Sequence, residues 1–293
     1  MHLNVVPARN GYAWARSGVR IFLQQPMAMT TLFCPIIGLQ IVAAVLPLPI
    51  RMLLLVLVPT MTLGMMVAAR EVLAGRRARP YMLVAAFRAG PAYARPMLVL
   101  GACYAVAALL VVGLTMAVAR LWGPEAPVKL PVAAEDVMRL LSSEMGTMLL
   151  STVFYLPVSM AFWHAPALVF WYRIQPAKSL FFSLVACLRN LRAFTVYGIA
   201  WGAIFVGGLL AASFVAALVL EIVTGALGNA AAPLLMFLGG MLVFSTGIAM
   251  MAMFFASLYA TFLDCFILPS VPGALSTDIP EPTDAPPPPA DPH

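Results

Sequence analysis

A histidine stands inside one of the most aromatic stretches of this sequence. His164 lies in FYLPVSMAFWHAPALVFWYR, residues 154–173, between Pro157 and Pro166. An imidazole in an apolar segment is costly to bury and marks a candidate functional site. The prolines remove helical donors, which frees the carbonyls of Val153 and Phe162. Freed carbonyls beside an imidazole would make a polar notch able to bind an ion, relay a proton or sense pH. The competing reading is a buried histidine that hydrogen-bonds a neighbouring helix and fixes packing. Thr152, Tyr155 and Ser159 add a polar stripe to the same helix. On an unbroken wheel, however, His164 falls about 140° away from Ser159. Only a kink would bring the four residues Thr152, Tyr155, Ser159 and His164 together.

Asp264 is the second candidate. Thr246, Met250, Met253, Ser257, Thr261 and Asp264 share one face of a long apolar helix, and Asp264 sits at its C-terminal end. A carboxylate there meets the negative end of the helix dipole, which calls for a cationic partner. Arg173, Lys178, Arg189 and Arg192 are the candidate basic residues on the same side, so an ion pair is expected. Gly198 and Gly202 form a GxxxG spacing that permits close approach of two helices in a membrane. The 19 methionines have no regular spacing with His or Cys, and none of the four cysteines forms a CxxC pair. No metal or cofactor site is expected, and free thiols are expected at Cys34, Cys103, Cys187 and Cys265. The phosphate-cradling, zinc-protease and serine-nucleophile motifs are missing, as is any pair of carboxylates inside an apolar segment. Enzymatic turnover therefore has the least support.

The elements that must position these residues follow from composition. The chain is 63% hydrophobic and 10% charged over 293 residues. A water-facing globule needs about 25% charged residues, so lipid must be the solvent here. Six apolar blocks, near 27–47, 52–69, 97–119, 147–171, 196–220 and 234–263, are long enough to cross a hydrocarbon core of about 30 Å. Thirteen of the 17 basic residues fall in the leader, the 70–95 segment and the 172–195 segment, on one side. By the positive-inside rule that side, with both termini, is cytoplasmic. The 120–146 loop is then external and is expected to hold one short helix.

Three cytoplasmic segments have interfacial character. In residues 1–26, Arg9, Arg16 and Arg20 share one face while Trp14, Gly18, Ile21 and Phe22 lie opposite, a basic amphipathic helix suited to the headgroup plane. In 176–192, Ser179, Ser183, Ala186 and Asn190 oppose Leu180, Phe181, Leu184, Val185 and Leu188, and the uncharged core is too short to span. Each odd-numbered span is preceded by a basic-and-aromatic segment, which suggests a parallel repeat of three hairpins. Shared membrane-boundary chemistry explains the similarity equally well. Residues 269–293 are Pro-rich and acidic without apolar periodicity, and a disordered tail is expected. The domain between them is 27–268.

The segments VPARNG, FWHAPALV, AKSLFFSLVACLRN and ATFLDCF carry a resemblance. Through them the chain resembles a family of uncharacterised bacterial inner-membrane proteins, from residue 1 to about 267. The resemblance implies architecture and location, an inner (cytoplasmic) membrane protein, but no mechanism. More loosely, interfacial helices feeding hairpins look like the membrane domains attached to some glycerophosphodiesterases, a likeness of fold alone. The sequence thus predicts an all-α bundle of six transmembrane helices with cytoplasmic amphipathic helices. Its expected partners are membrane lipids, with a protein partner or a second copy also open, and not nucleic acid. The first functional expectation is a non-enzymatic component that organises lipids or partner proteins. The alternative is a transporter or channel for a small solute or proton. A midplane cavity lined by Thr152, Tyr155, Ser159 and His164 would favour transport, and a filled bundle centre the first reading.

Overall fold

The computed structural model describes residues 2–121 and 134–267. Helix α1 spans Asn10–Gln24 and α2 spans Pro26–Val45. The tight turn at Leu46 and Pro47 leads into α3, Leu48–Leu55, and α4, Val58–Leu73, which run on as one membrane-length unit. A one-turn 3-10 segment, Pro80–Val84, and the short α5, Ala85–Arg88, precede α6, Pro91–Leu121. Then come α7, Ala134–Trp163, α8, Ala165–Tyr172, and α9, Pro176–Arg189. Two long helices close the chain: α10, Leu191–Leu227, and α11, Ala232–Cys265. Six of the resulting segments are long and apolar enough to cross a membrane, as the sequence predicts: Pro26–Val45, Leu48–Leu73, Pro91–Leu121, Met145–Tyr172, Leu191–Ala226 and Asn229–Cys265. Several outrun the apolar blocks read from sequence, because a helix continues past the first polar residue. The short helix expected in the 120–146 loop is instead continuous with the fourth span, since α7 begins at Ala134. The expected tail, 269–293, and residues 122–133 lie outside the described residues.

The buried side chains gather toward one end of the bundle. They include Leu32 and Phe33 of α2, Leu63 to Val72 of α4, Met97 and Leu100 of α6, Ala165 to Val169 of α8, and Ala252 to Phe262 of α11. This is the end that carries most of the basic residues. At the other end large apolar side chains point outward: Val45, Leu48, Leu121, Met148, Phe214 and Phe237 are all exposed. Lipid is their expected neighbour.

Helix α1 adds to the packed end. Its apolar face does not rest on lipid: Trp14, Ala15, Gly18, Ile21 and Phe22 are buried against α10 and α11, while Arg9, Arg16 and Arg20 remain exposed. Two glycines permit that docking. A Cβ on Gly11 would collide with the Ala193 carbonyl oxygen, and one on Gly18 would lie 2.5 Å from both the Met253 carbonyl oxygen and Ser257 Cβ. By contrast, a Cβ on Gly198 or Gly202 would meet nothing within 4 Å. Within this chain the GxxxG pair therefore makes no close approach to another helix among the described residues. Spacing alone shows that two glycines share a face, not that another helix covers it.

The two ends of the described chain meet. His2–Leu3 (β1) pairs antiparallel with Phe266–Ile267 (β2), and the Asn4 N–H donates to the Cys265 carbonyl at 2.9 Å. Both ends thus lie on the same face of the bundle.

Candidate functional site

Helices α2, α4, α6, α7, α8 and α11 line a cavity of about 330 Å³ that opens to the outside of the bundle past the exposed Gln40 and Tyr155. Its walls include Gln40, Thr62, Tyr104, Tyr155 and Ser159 among the aromatic rings of Phe162, Trp163, Phe254 and Phe255. Thr62, Tyr104 and Ser159 each stand near the midpoint of their membrane-length segments, which puts this part of the cavity wall at mid-depth of the spans. The Tyr104 and Tyr155 hydroxyls are 2.7 Å apart and share a hydrogen bond. The Ser159 hydroxyl donates to the Leu156 carbonyl and that of Thr62 to the Val58 carbonyl, each within its own helix. Among the described residues no Asp, Glu, Lys, Arg or His lines the wall.

Of the residues read as a site from sequence, Tyr155 and Ser159 line the cavity, while Thr152 and His164 do not. The Thr152 hydroxyl donates to the Met148 carbonyl one turn back. Tyr104, Gln40 and Thr62 escaped sequence reading because each comes singly from a different helix. The available signal was an isolated polar residue within each apolar block.

His164 sits at the break between α7 and α8. Pro166 prevents a continuous helix, and the Ser183 hydroxyl of α9 fills the gap in the backbone ladder. It accepts from the His164 N–H at 2.9 Å and donates to the Met160 carbonyl at 2.8 Å, the two groups that would otherwise bond each other. The imidazole is 0% exposed and neither ring nitrogen has a hydrogen-bond partner. Its neighbours are aromatic, with ring centroids 5.3 Å from Phe266, 6.0 Å from Phe262 and 6.1 Å from Phe194. The expected polar notch is therefore an aromatic box. Among the described residues the interhelical histidine bond read from sequence is not made.

Helix α9 explains the rest of this corner. Its polar face turns inward: Ser179, Ser183 and Asn190 are buried, while Phe181, Phe182 and Leu188 are exposed. Asn190 accepts from the Val6 N–H at 2.8 Å and donates to the Asn4 carbonyl at 2.9 Å, tying the N-terminal segment to the α9–α10 junction. Burial pushes the Cys187 thiol of α9 well above its usual range.

Asp264 also finds other partners than those expected. Its Oδ2 accepts from Trp14 Nε1 at 2.7 Å and from Asn10 Nδ2 at 2.9 Å. Lys178, Arg189 and Arg192 are exposed, and the one salt bridge among the described residues joins Arg76 to Glu71. The ion pair read from sequence is thus replaced by neutral donors of α1. They supply the positive partial charge that a carboxylate at a helix C-terminus requires. All four cysteines are free, Cys34 and Cys103 exposed and Cys187 and Cys265 buried. Among the described residues no group of three metal-ligating side chains occurs.

These features define a polytopic membrane protein of six spans with an uncharged, aromatic-walled cavity at mid-depth. The comparisons place it more closely. The chain belongs to the family of a probable inner membrane protein of Burkholderia thailandensis, to which it is 34% identical over 272 residues, 91% of this chain and 94% of that relative. No family model and no solved structure matches it.

Proposed function

We propose that this protein is a non-enzymatic component of the bacterial inner membrane that organises lipid-phase molecules or partner proteins, with both termini in the cytoplasm. The bundle centre is not filled, but the cavity takes only Tyr155 and Ser159 of the four residues whose cavity would favour transport. What supports the reading is a wall without Thr152, His164 or charge, at a depth that molecules dissolved in the bilayer reach. Its wall offers hydrogen bonds and aromatic faces but no charge, which suits holding a neutral guest rather than transforming one. The orientation is supported by the basic residues concentrated on the face where the two chain ends meet. The transport alternative, a small solute or proton passing a site around His164, has less support because that imidazole is sealed among phenylalanines outside the cavity wall.

Native mass spectrometry of the protein released directly from membranes tests this reading. Retained lipid-phase molecules or a stoichiometric protein partner are expected. A bare chain that instead conducts protons or solutes in proteoliposomes would reverse the order of the two readings. Phosphatase and fluorescent-protein fusions at the C-terminus check the orientation. Fluorescence without phosphatase activity is expected.

A further inference from the structure

The cavity carries more information than its presence. Gln40 makes no side-chain hydrogen bond among the described residues, although it lies in a membrane-length helix. Hydrocarbon offers an amide no partner, and an unsatisfied amide there is costly. The Tyr104–Tyr155 pair contains two hydroxyl protons, and one hydrogen bond consumes one of them. The second has no acceptor among the described residues. Two donor positions thus line the cavity without a bonded acceptor among the described residues.

The guest is constrained by what the wall lacks. Without a cationic residue among the described ones the cavity does not suit a phosphate headgroup or a carboxylate, and an ammonium group, which aromatic walls can hold, offers the two donors no acceptor. A saturated acyl chain has no acceptor to offer. Phospholipid ester carbonyls belong to the interface, about 15 Å from the bilayer centre. The aromatic rings of Phe162, Trp163, Phe254 and Phe255 favour a flat ring that stacks offset or edge-on. A volume of about 330 Å³ suits one substituted ring.

We infer that this cavity binds the head of a neutral, carbonyl-bearing ring lipid, a lipid-soluble quinone, with its carbonyls accepting from the free tyrosine hydroxyl and the Gln40 amide. The inference rests on the reading that the protein holds lipid-phase molecules and names which class it holds. No electron transfer is implied, only binding.

The test is calorimetric titration of the full chain in detergent with a benzoquinone carrying one isoprenoid unit, set against dodecane as a chain without an acceptor. Saturable one-to-one binding of the quinone is expected, with dodecane much weaker. Gln40→Leu and the double variant Tyr104→Phe/Tyr155→Phe should each weaken the quinone about fivefold, the worth of one neutral hydrogen bond. Ser159→Trp should fill the cavity and abolish binding, with its fold checked by thermal melting. If that variant does not fold, Gln40→Leu, at an exposed position, still decides. Equal binding of dodecane and quinone with no effect of Gln40→Leu would overturn the quinone assignment while leaving a lipid-holding protein. No saturable binding of either probe would overturn the cavity as a site. Lipid retention in native mass spectrometry then reports separately whether the broader reading survives.

Discussion

Replacing Asp264 separates two accounts of how the last helix is held. In the structure Oδ2 is the shared acceptor for Trp14 Nε1 at 2.7 Å and Asn10 Nδ2 at 2.9 Å. Asp264→Ala removes that acceptor. Trp14 is only 2% exposed, so its indole N–H is left buried and unpaired, which costs about 2 kcal/mol. The half-buried Asn10 amide loses a charge-assisted bond worth about 1 kcal/mol after partial replacement by water. The sum is about 3 kcal/mol, a fall in melting temperature of about 6 °C for a chain of this size. Asp264→Asn keeps a carbonyl oxygen that can face the same two donors and should cost about 1 kcal/mol. Thermal melts of parent and both variants in one detergent measure the ordering: parent, then Asn, then Ala. An ion pair with Arg189 or Arg192 gives a different ordering, because Asn would then be as damaging as Ala. If the Asn and Ala variants melt together, or if Ala melts like the parent, the account of α1 as the partner of Asp264 is refuted.

Four further outcomes are expected. His164→Phe should melt at or above the parent temperature, because the ring occupies an aromatic box and both nitrogens lack partners; a loss of more than about 2 kcal/mol would mean that the imidazole has a bonded partner. Gly18→Val should release α1 from α10 and α11, seen as protease cleavage within the first 25 residues, since even a Cβ would lie 2.5 Å from the Met253 carbonyl oxygen. Gly198→Ala and Gly202→Ala should leave stability unchanged or slightly raised, as helical alanine is favoured by up to about 1 kcal/mol and nothing stands in its way. In native membranes a maleimide should spare Cys34 and Cys103, whose exposed faces meet hydrocarbon where no thiolate forms, as well as Cys187, whose burial keeps it a protonated thiol; all should be labelled on denaturation, and mass mapping of the labelled peptides checks this.

The spans were readable because apolar runs of about 20 residues have few other uses in a chain so poor in charge. The amphipathic character of α1 was readable too, from the opposition of Arg9, Arg16 and Arg20 to Trp14, Ile21 and Phe22. What its apolar face would meet was not, because lipid and a protein groove are both apolar and the periodicity is the same for either. Asp264 misled in a related way. The dipole argument correctly demands positive charge near it, but partial charge on N–H groups from residues about 250 positions away satisfies the demand as well as a guanidinium would. Helix α9 shows an inward-facing polar side, with Ser183 bonded into the gap beside His164. Its amphipathicity was visible in sequence, yet the inversion depends on the break at Pro166 that creates backbone groups for Ser183 to satisfy. The cavity was least readable. Tyr155 and Ser159 share a stripe, but Tyr104, Thr62 and Gln40 join them only after four separate helices are packed.

The gathering of buried side chains at one end divides the molecule into two mechanical regimes. Where α1, α8 and α9 fill the spaces between spans, side chains interlock and resist deformation. Beyond the cavity the helices continue with few buried contacts, so each is steadied mainly by the acyl chains around it. Stiffness therefore falls along the bilayer normal. A change in the thickness or fluidity of the leaflet around the sparse end would alter the spread of the spans there without disturbing the interlocked end. The cavity, seated where one regime gives way to the other, would widen or narrow with it.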